Sequence, residues 1–237
     1  MNTALTQAQI DLMYEEVLSR HATAAEKAAF SSLANTESTA QIESDIATLP
    51  EATTLVDPLV RLYQGAFGRL PDTIDPNGNF DTGAQSGFWV NTNALRSGLT
   101  LVQMAQAFVA SAEFTAQYGT TSVTPALITA FYQHILGRDP SSAEVGAWQA
   151  TGLDAAHVLL GFTQSTEFIA RSQGSVDAFK VALANGLHPS GPLPPPPAQL
   201  TLVSDHDIGS VNEGSARGTS PRTGIAPAPL PHASGAT

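Results

Sequence analysis

Thr124-Pro125-Ala126-Leu127-Ile128-Thr129-Ala130-Phe131-Tyr132-Gln133-His134-Ile135-Leu136-Gly137-Arg138 sets the pattern of this chain. Ile128, Phe131, Tyr132, Ile135 and Leu136 fall at i, i+3, i+4, i+7 and i+8. That spacing draws one apolar stripe along an α-helix and does not suit a strand. Thr124 can cap the start, and Pro125 sits where a first helical residue tolerates a missing N–H. Gly137 marks the exit, because glycine enters left-handed backbone at little cost. The stripe recurs at Leu59, Leu62, Tyr63, Ala66 and Phe67, between Asp57-Pro58 and Gly68-Arg69. It recurs again at Ile10, Met13, Tyr14, Val17 and Leu18, with Thr6 and Gln9 as a capping box and Ser19-Arg20 at the exit. Serine is expected to close its helix less well than glycine does.

Further echoes follow each stripe. Capping boxes stand at Thr23 with Glu26, Thr82 with Gln85, and Ser141 with Glu144, and seven residues after each cap comes Phe30, Trp89 or Trp148. The cap lies three residues after the arginine in the first and third copies but thirteen after it in the second, which implies a ten-residue insertion between Arg69 and Thr82. A third helix is expected to open at Ser38, Thr100 and Asp154, with Ile46, Phe108 and Phe162 as core residues and Glu51, Glu113 and Glu167 five positions beyond them. The last two glutamates sit in the phrases Ser111-Ala-Glu-Phe114 and Ser165-Thr-Glu-Phe168.

The expected fold is therefore all-α: three stacked three-helix repeat units, a closing helix over Val176–Asn185, and a Pro-rich disordered tail. Residues 1–57 form a degenerate first repeat, 58–118 a second repeat with an inserted Asp/Asn loop, and 119–188 a third repeat with the closing helix. Residues 189–237 hold ten of the sixteen prolines and no amphipathic period, so they read as a stiff linker followed by disorder.

Composition excludes several classes of function. The chain of 237 residues carries a formal charge of −11 and only two lysines, Lys27 and Lys180, whereas nucleic-acid binding leans on a basic footprint. Nine acidic and two basic residues fall within 1–57, so the acidity is concentrated in the first repeat. The absence of cysteine rules out disulfides, a thiol nucleophile and a thiolate zinc site. No apolar run is long enough for a transmembrane segment. Met1 to Glu16 has neither a basic n-region nor an apolar h-region, so no cleaved N-terminal signal peptide is expected.

Catalytic signatures are sparse. His21, His134, His157, His188, His206 and His232 form no close ligand pair, and zinc would need scattered histidine and carboxylate ligands. Neither a nucleophile elbow nor a phosphate-cradling glycine loop is present. Neighbouring carboxylates such as Glu15-Glu16 point apart on a helix and read as a solvated face. An enzyme is not expected.

Three sets of residues carry a functional reading beside a plainer one. Asp75, Asn77, Asn79 and Asp81 alternate around Gly78 and offer hard oxygens that suit Ca²⁺. Counted from Asp75, however, Phe80 and Ser86 occupy the EF-hand glycine and glutamate positions. Asp, Pro, Asn and Gly are turn formers, so a simple turn is the preferred reading. Trp89 and Trp148 could stack on sugar rings, yet they share a register with Phe30, which favours core packing. Arg20, Arg69 and Arg138 could grip phosphate or carboxylate sugars, or could pair structurally with Glu51, Glu113 and Glu167; the second is preferred.

Phe131-Tyr-Gln-His-Ile-Leu-Gly-Arg-Asp-Pro140, with Trp148 and Ser165-Thr-Glu-Phe168, resembles an uncharacterised α-helical repeat domain family of secreted bacterial surface proteins. The likeness covers residues 58–173 well and 6–57 weakly. Such domains often accompany calcium-binding glycine-rich repeats and leave the cell by type I secretion. The overall order also resembles the N-terminal anchoring region of alphaproteobacterial S-layer proteins, and more distantly the helical units of phycobilisome linkers. The resemblance implies a secreted or cell-surface location and a non-catalytic module contacting lipopolysaccharide or a related glycan. Because residues 1–57 are acidic and lipopolysaccharide is anionic, that contact would need divalent cations such as Ca²⁺ as bridges. The alternative it leaves open is a protein–protein interaction domain of a secreted adhesin or toxin, contacting another surface protein.

Overall fold

The computed structural model describes residues 5–74, 86–189 and 191. Eleven α-helices build them, and no strand occurs among the described residues. In the first unit α1 is Gln7–Leu18, α2 is Ala24–Leu33 and α3 is Thr39–Ala47. The second contains α4 (Asp57–Phe67), α5 (Gly87–Arg96), α6 (Leu101–Val109) and α7 (Ala112–Tyr118). The third contains α8 (Pro125–Phe131), α9 (Ser142–Ala150), α10 (Ala155–Thr163) and α11 (Thr166–Ala184). A π-helical turn at Ala52–Val56 leads into α4, and another at Tyr132–Leu136 extends α8.

Most of these helices are too short to hold alone in water, so caps and shared packing maintain them. Thr6, Thr23, Thr100 and Ser141 each make full capping boxes, while Ser38, Ser111, Thr124, Asp154 and Ser165 cap through their side chains alone. The three repeat helices all exit through left-handed backbone, at Ser19 (φ 54°), Gly68 (φ 66°) and Gly137 (φ 66°). Ser19 is the one non-glycine residue with positive φ among the described residues.

Three sequence expectations need correction. Glu15-Glu16 do not form a solvated face, since Glu16 is buried against the core. α5 opens at Ser86, whose hydroxyl accepts from the Trp89 N–H, rather than at Thr82, which lies outside the described residues with Gln85. Trp89 therefore sits in the first turn of α5, half-buried, and does not repeat the position of Phe30 and Trp148. The register slips because the cap follows Arg69 by seventeen residues, against three in the other units. The closing helix is also not separate. α11 runs unbroken from the Ser165 cap to Ala184, and Gly174 within it keeps helical backbone.

α4 is the axis of the packing. Leu59, Val60, Leu62, Tyr63 and Ala66 are all buried, and so are the polar Asp57, Arg61 and Gln64. A helix buried on every side belongs at a centre, not on a rim. α10 lies against α4 and α6, and α11 lies against α1, α3 and α4. The third unit thus reaches the first as well as the second. α4 and α10 approach closely at Gly65, where a Cβ would stand 2.2 Å from Thr163 Cγ2. Asp75, Asn77, Asn79 and Asp81 and the chain from residue 192 fall outside the described residues. No helix among the described residues is long and apolar enough to cross a membrane.

Candidate functional site

Each unit holds an arginine just past the left-handed exit of its first helix. The exit turns the chain so that the guanidinium lies back over the tyrosine six residues earlier. Arg20 covers the Tyr14 ring at 5.1 Å, Arg69 covers Tyr63 at 5.5 Å and Arg138 covers Tyr132 at 4.6 Å. A desolvated guanidinium over an aromatic face gains cation–π attraction.

The same arginines meet the repeated glutamates. Arg20 Nη2 donates to Glu51 Oε2 at 2.6 Å, Arg69 Nε to Glu113 Oε1 at 2.6 Å, and Arg138 Nε to Glu167 Oε1 at 2.8 Å. Glu113 and Glu167 occupy the first turns of α7 and α11, where the helix dipole favours a negative charge. A second carboxylate completes each set. Glu26 and Glu144 come from the capping boxes of α2 and α9, 2.8 Å from Arg20 Nη2 and Arg138 Nη2, and Asp72 takes that place beside Arg69 Nη1 at 2.9 Å. Hydrogen bonds from the two arginines hold the Glu26 and Glu144 carboxyls at about 2, well below their ordinary value. The carboxylates in turn push all three arginines up, against the opposing effect of burial.

Every repeat arginine is therefore engaged on two carboxylates and an aromatic face, and the donors that make those pairs are not free for an outside anion. Tyr14, Tyr63 and Tyr132 belong to this constellation as much as to the apolar stripe. The signal was a tyrosine six residues before each arginine, three times over. Burial pushes the Tyr14 and Tyr63 hydroxyls up to about 12, so they stay protonated at neutral pH.

The aromatic positions divide. Phe30 meets Tyr14 edge-on at 5.9 Å, and Trp148 stacks on Phe162 at 4.9 Å while its Nε1 donates to the Tyr132 hydroxyl at 3.3 Å. Gly161 makes room for that indole, since a Cβ there would stand 2.4 Å from Trp148 Cη2. In the second unit the tyrosine hydroxyl accepts instead from Asn91 Nδ2 at 2.7 Å, and Trp89 is elsewhere.

Two further arginines secure helix ends. Arg96 of α5 pairs with Glu51 at 3.0 Å and donates to the Leu18 carbonyl at the end of α1, joining the second unit to the first. Arg171 of α11 donates to the Leu136 carbonyl at 2.7 Å. Both put positive charge where a helix leaves unpaired carbonyls.

Residues 105–172 match the family model of a domain of unknown function, DUF4214. The match opens inside α6 and closes inside α11, so it spans α7 to α10 and includes both Ser-x-Glu-Phe phrases together with Arg138 and Trp148. No curated protein and no solved structure matches the chain.

Proposed function

We propose that this chain is a non-catalytic module of the bacterial cell surface. Like the anchoring region of S-layer proteins that its overall order resembles, it contacts lipopolysaccharide or a related glycan. The observation that carries this reading is the internal engagement of the repeat arginines on Glu51, Glu113 and Glu167. With those cations committed to the scaffold, the repeat acts as a frame, and recognition falls to what the units do not share. The first unit differs most, since residues 1–57 carry nine acidic against two basic residues. So acidic a segment meets an anionic glycan only through bridging divalent cations. The type I route of secretion belongs to the same resemblance.

Retention on immobilised purified lipopolysaccharide, measured with Ca²⁺ and Mg²⁺ present and again in EDTA, tests this. Binding with the cations and release by EDTA is the expected result. No retention in either condition overturns the proposal and favours a protein-contact domain of a secreted adhesin or toxin.

A further inference from the structure

α1 carries Asp11 and Glu15 one turn apart, so both carboxylates leave the same helix face. The left-handed turn at Ser19 then brings His21 back over that face. Its Nδ1 lies 3.2 Å from Asp11 Oδ2 and touches Glu15 Oε1. One ligand-type atom from each of the three residues lies within 4.8 Å of the others.

The repeat itself does not require this trio. The equivalent positions are Val60, Gln64 and Leu70 in the second unit and Thr129, Gln133 and Asp139 in the third. In the third unit a plain hydrogen bond from Gln133 Nε2 to Asp139 Oδ1, at 2.8 Å, spans the same turn. The first unit replaces it with two carboxylates and an imidazole.

The surroundings also orient the set. Asp11 Oδ1 accepts the Ala22 N–H at 2.8 Å and faces Lys27 Nζ at 3.3 Å, which leaves Oδ2 turned toward His21. Fixing a carboxylate through its other oxygen is how metal ligands are commonly held. Burial raises the Asp11 carboxyl, but the Ala22 N–H, Lys27 and His21 outweigh it and hold the group below its ordinary value. Glu15 is largely buried, while His21 stands at the rim with 75% of its side chain exposed, so the group opens to solvent on one side.

The geometry points to a surface site for a divalent transition ion of the zinc class, with Asp11 Oδ2, Glu15 Oε1 and His21 Nδ1 as ligands and the remaining positions open to water. One imidazole nitrogen with two carboxylate oxygens suits Zn²⁺ or Co²⁺, whereas Ca²⁺ prefers an all-oxygen shell of six or more. Two carboxylates, one of them also facing Lys27, keep the site negative toward the ion. This assignment needs no glycan and stands apart from the surface-anchor reading.

Calorimetric titration of the full chain with Zn²⁺, together with the visible spectrum on adding Co²⁺, tests it. The expected result is saturable binding at one site and a cobalt ligand-field band. His21→Ala and Asp11→Asn should each weaken that binding at least about tenfold. Circular dichroism verifies that the variants keep their helices, and exposed His21 can be replaced without opening the core. Absence of saturable binding overturns the assignment. So does binding unchanged in His21→Ala, which would move the metal to other histidines, and so does displacement by an equal concentration of Ca²⁺, which would mark a plain acidic cluster.

Discussion

Ser19 holds backbone that glycine takes in the other two units, at φ 54° and ψ 37°. A side chain there crowds the neighbouring carbonyl and costs about 1 kcal/mol. Its hydroxyl is buried and makes no hydrogen bond among the described residues. Ser19→Gly relieves both penalties, so urea denaturation should show an increase in unfolding free energy of about 1 kcal/mol. The conformation at this position was legible in the sequence, because the two glycines in register name the backbone required. That of Trp89 was not. Its place seven residues beyond Thr82 was as regular as that of Trp148, and only the start of α5 at Ser86 shows that an insertion had shifted the register.

Among the elements, α9 shows how one residue serves two structures. Glu144 accepts from the Ser141 N–H in the capping box and pairs with Arg138, which in turn holds Glu167 at the head of α11. Arg138 is the largest influence holding the Glu144 carboxyl at about 2 in the fold, against an ordinary value of 4.5. Between those values the unfolded chain binds more protons than the folded one. The stabilisation is therefore complete above about 4.5 and is lost as pH falls toward 2. Denaturation midpoints followed from neutral pH downward should fall across that window. Glu144→Gln should make the fall shallower while Glu26 retains its own share. The arginine–glutamate spacing and the caps other than that of α5 were legible because they are local or repeat at fixed offsets. The tyrosines under the arginines were legible only as apolar positions, since a stripe gives burial and says nothing of what lies on the ring.

Across the whole molecule, the decisive contacts join segments far apart in the chain. Lys180 of α11 is 1% exposed, and its Nζ lies 2.6 Å from Asp57 Oδ1 at the start of α4. Gln173 bridges Asp57 and Asp177, Arg61 Nη1 donates to Gln173 Oε1 at 3.2 Å, and Gln64 Nε2 donates to Ser175 Oγ at 3.0 Å. Removing one partner strands a buried charge. Lys180→Met should cost about 3–5 kcal/mol, and adding Asp57→Asn should restore much of that loss. Paired chemical denaturation of the single and double variants checks both. Nothing in the sequence announced this network. Polar residues on an amphipathic helix read as its wet face, and only the return of α11 across α4 turns them inward.

That return has one more consequence. Linear arrays grow or shrink by gaining or losing modules at an end, because each module leans only on its neighbours. Here α11, the last helix among the described residues, lies back upon α1, and the three units close on one another. Losing any one unit would bare surfaces on both of the others. The three units share one packing, and the described residues are expected to unfold in a single cooperative step instead of peeling away module by module.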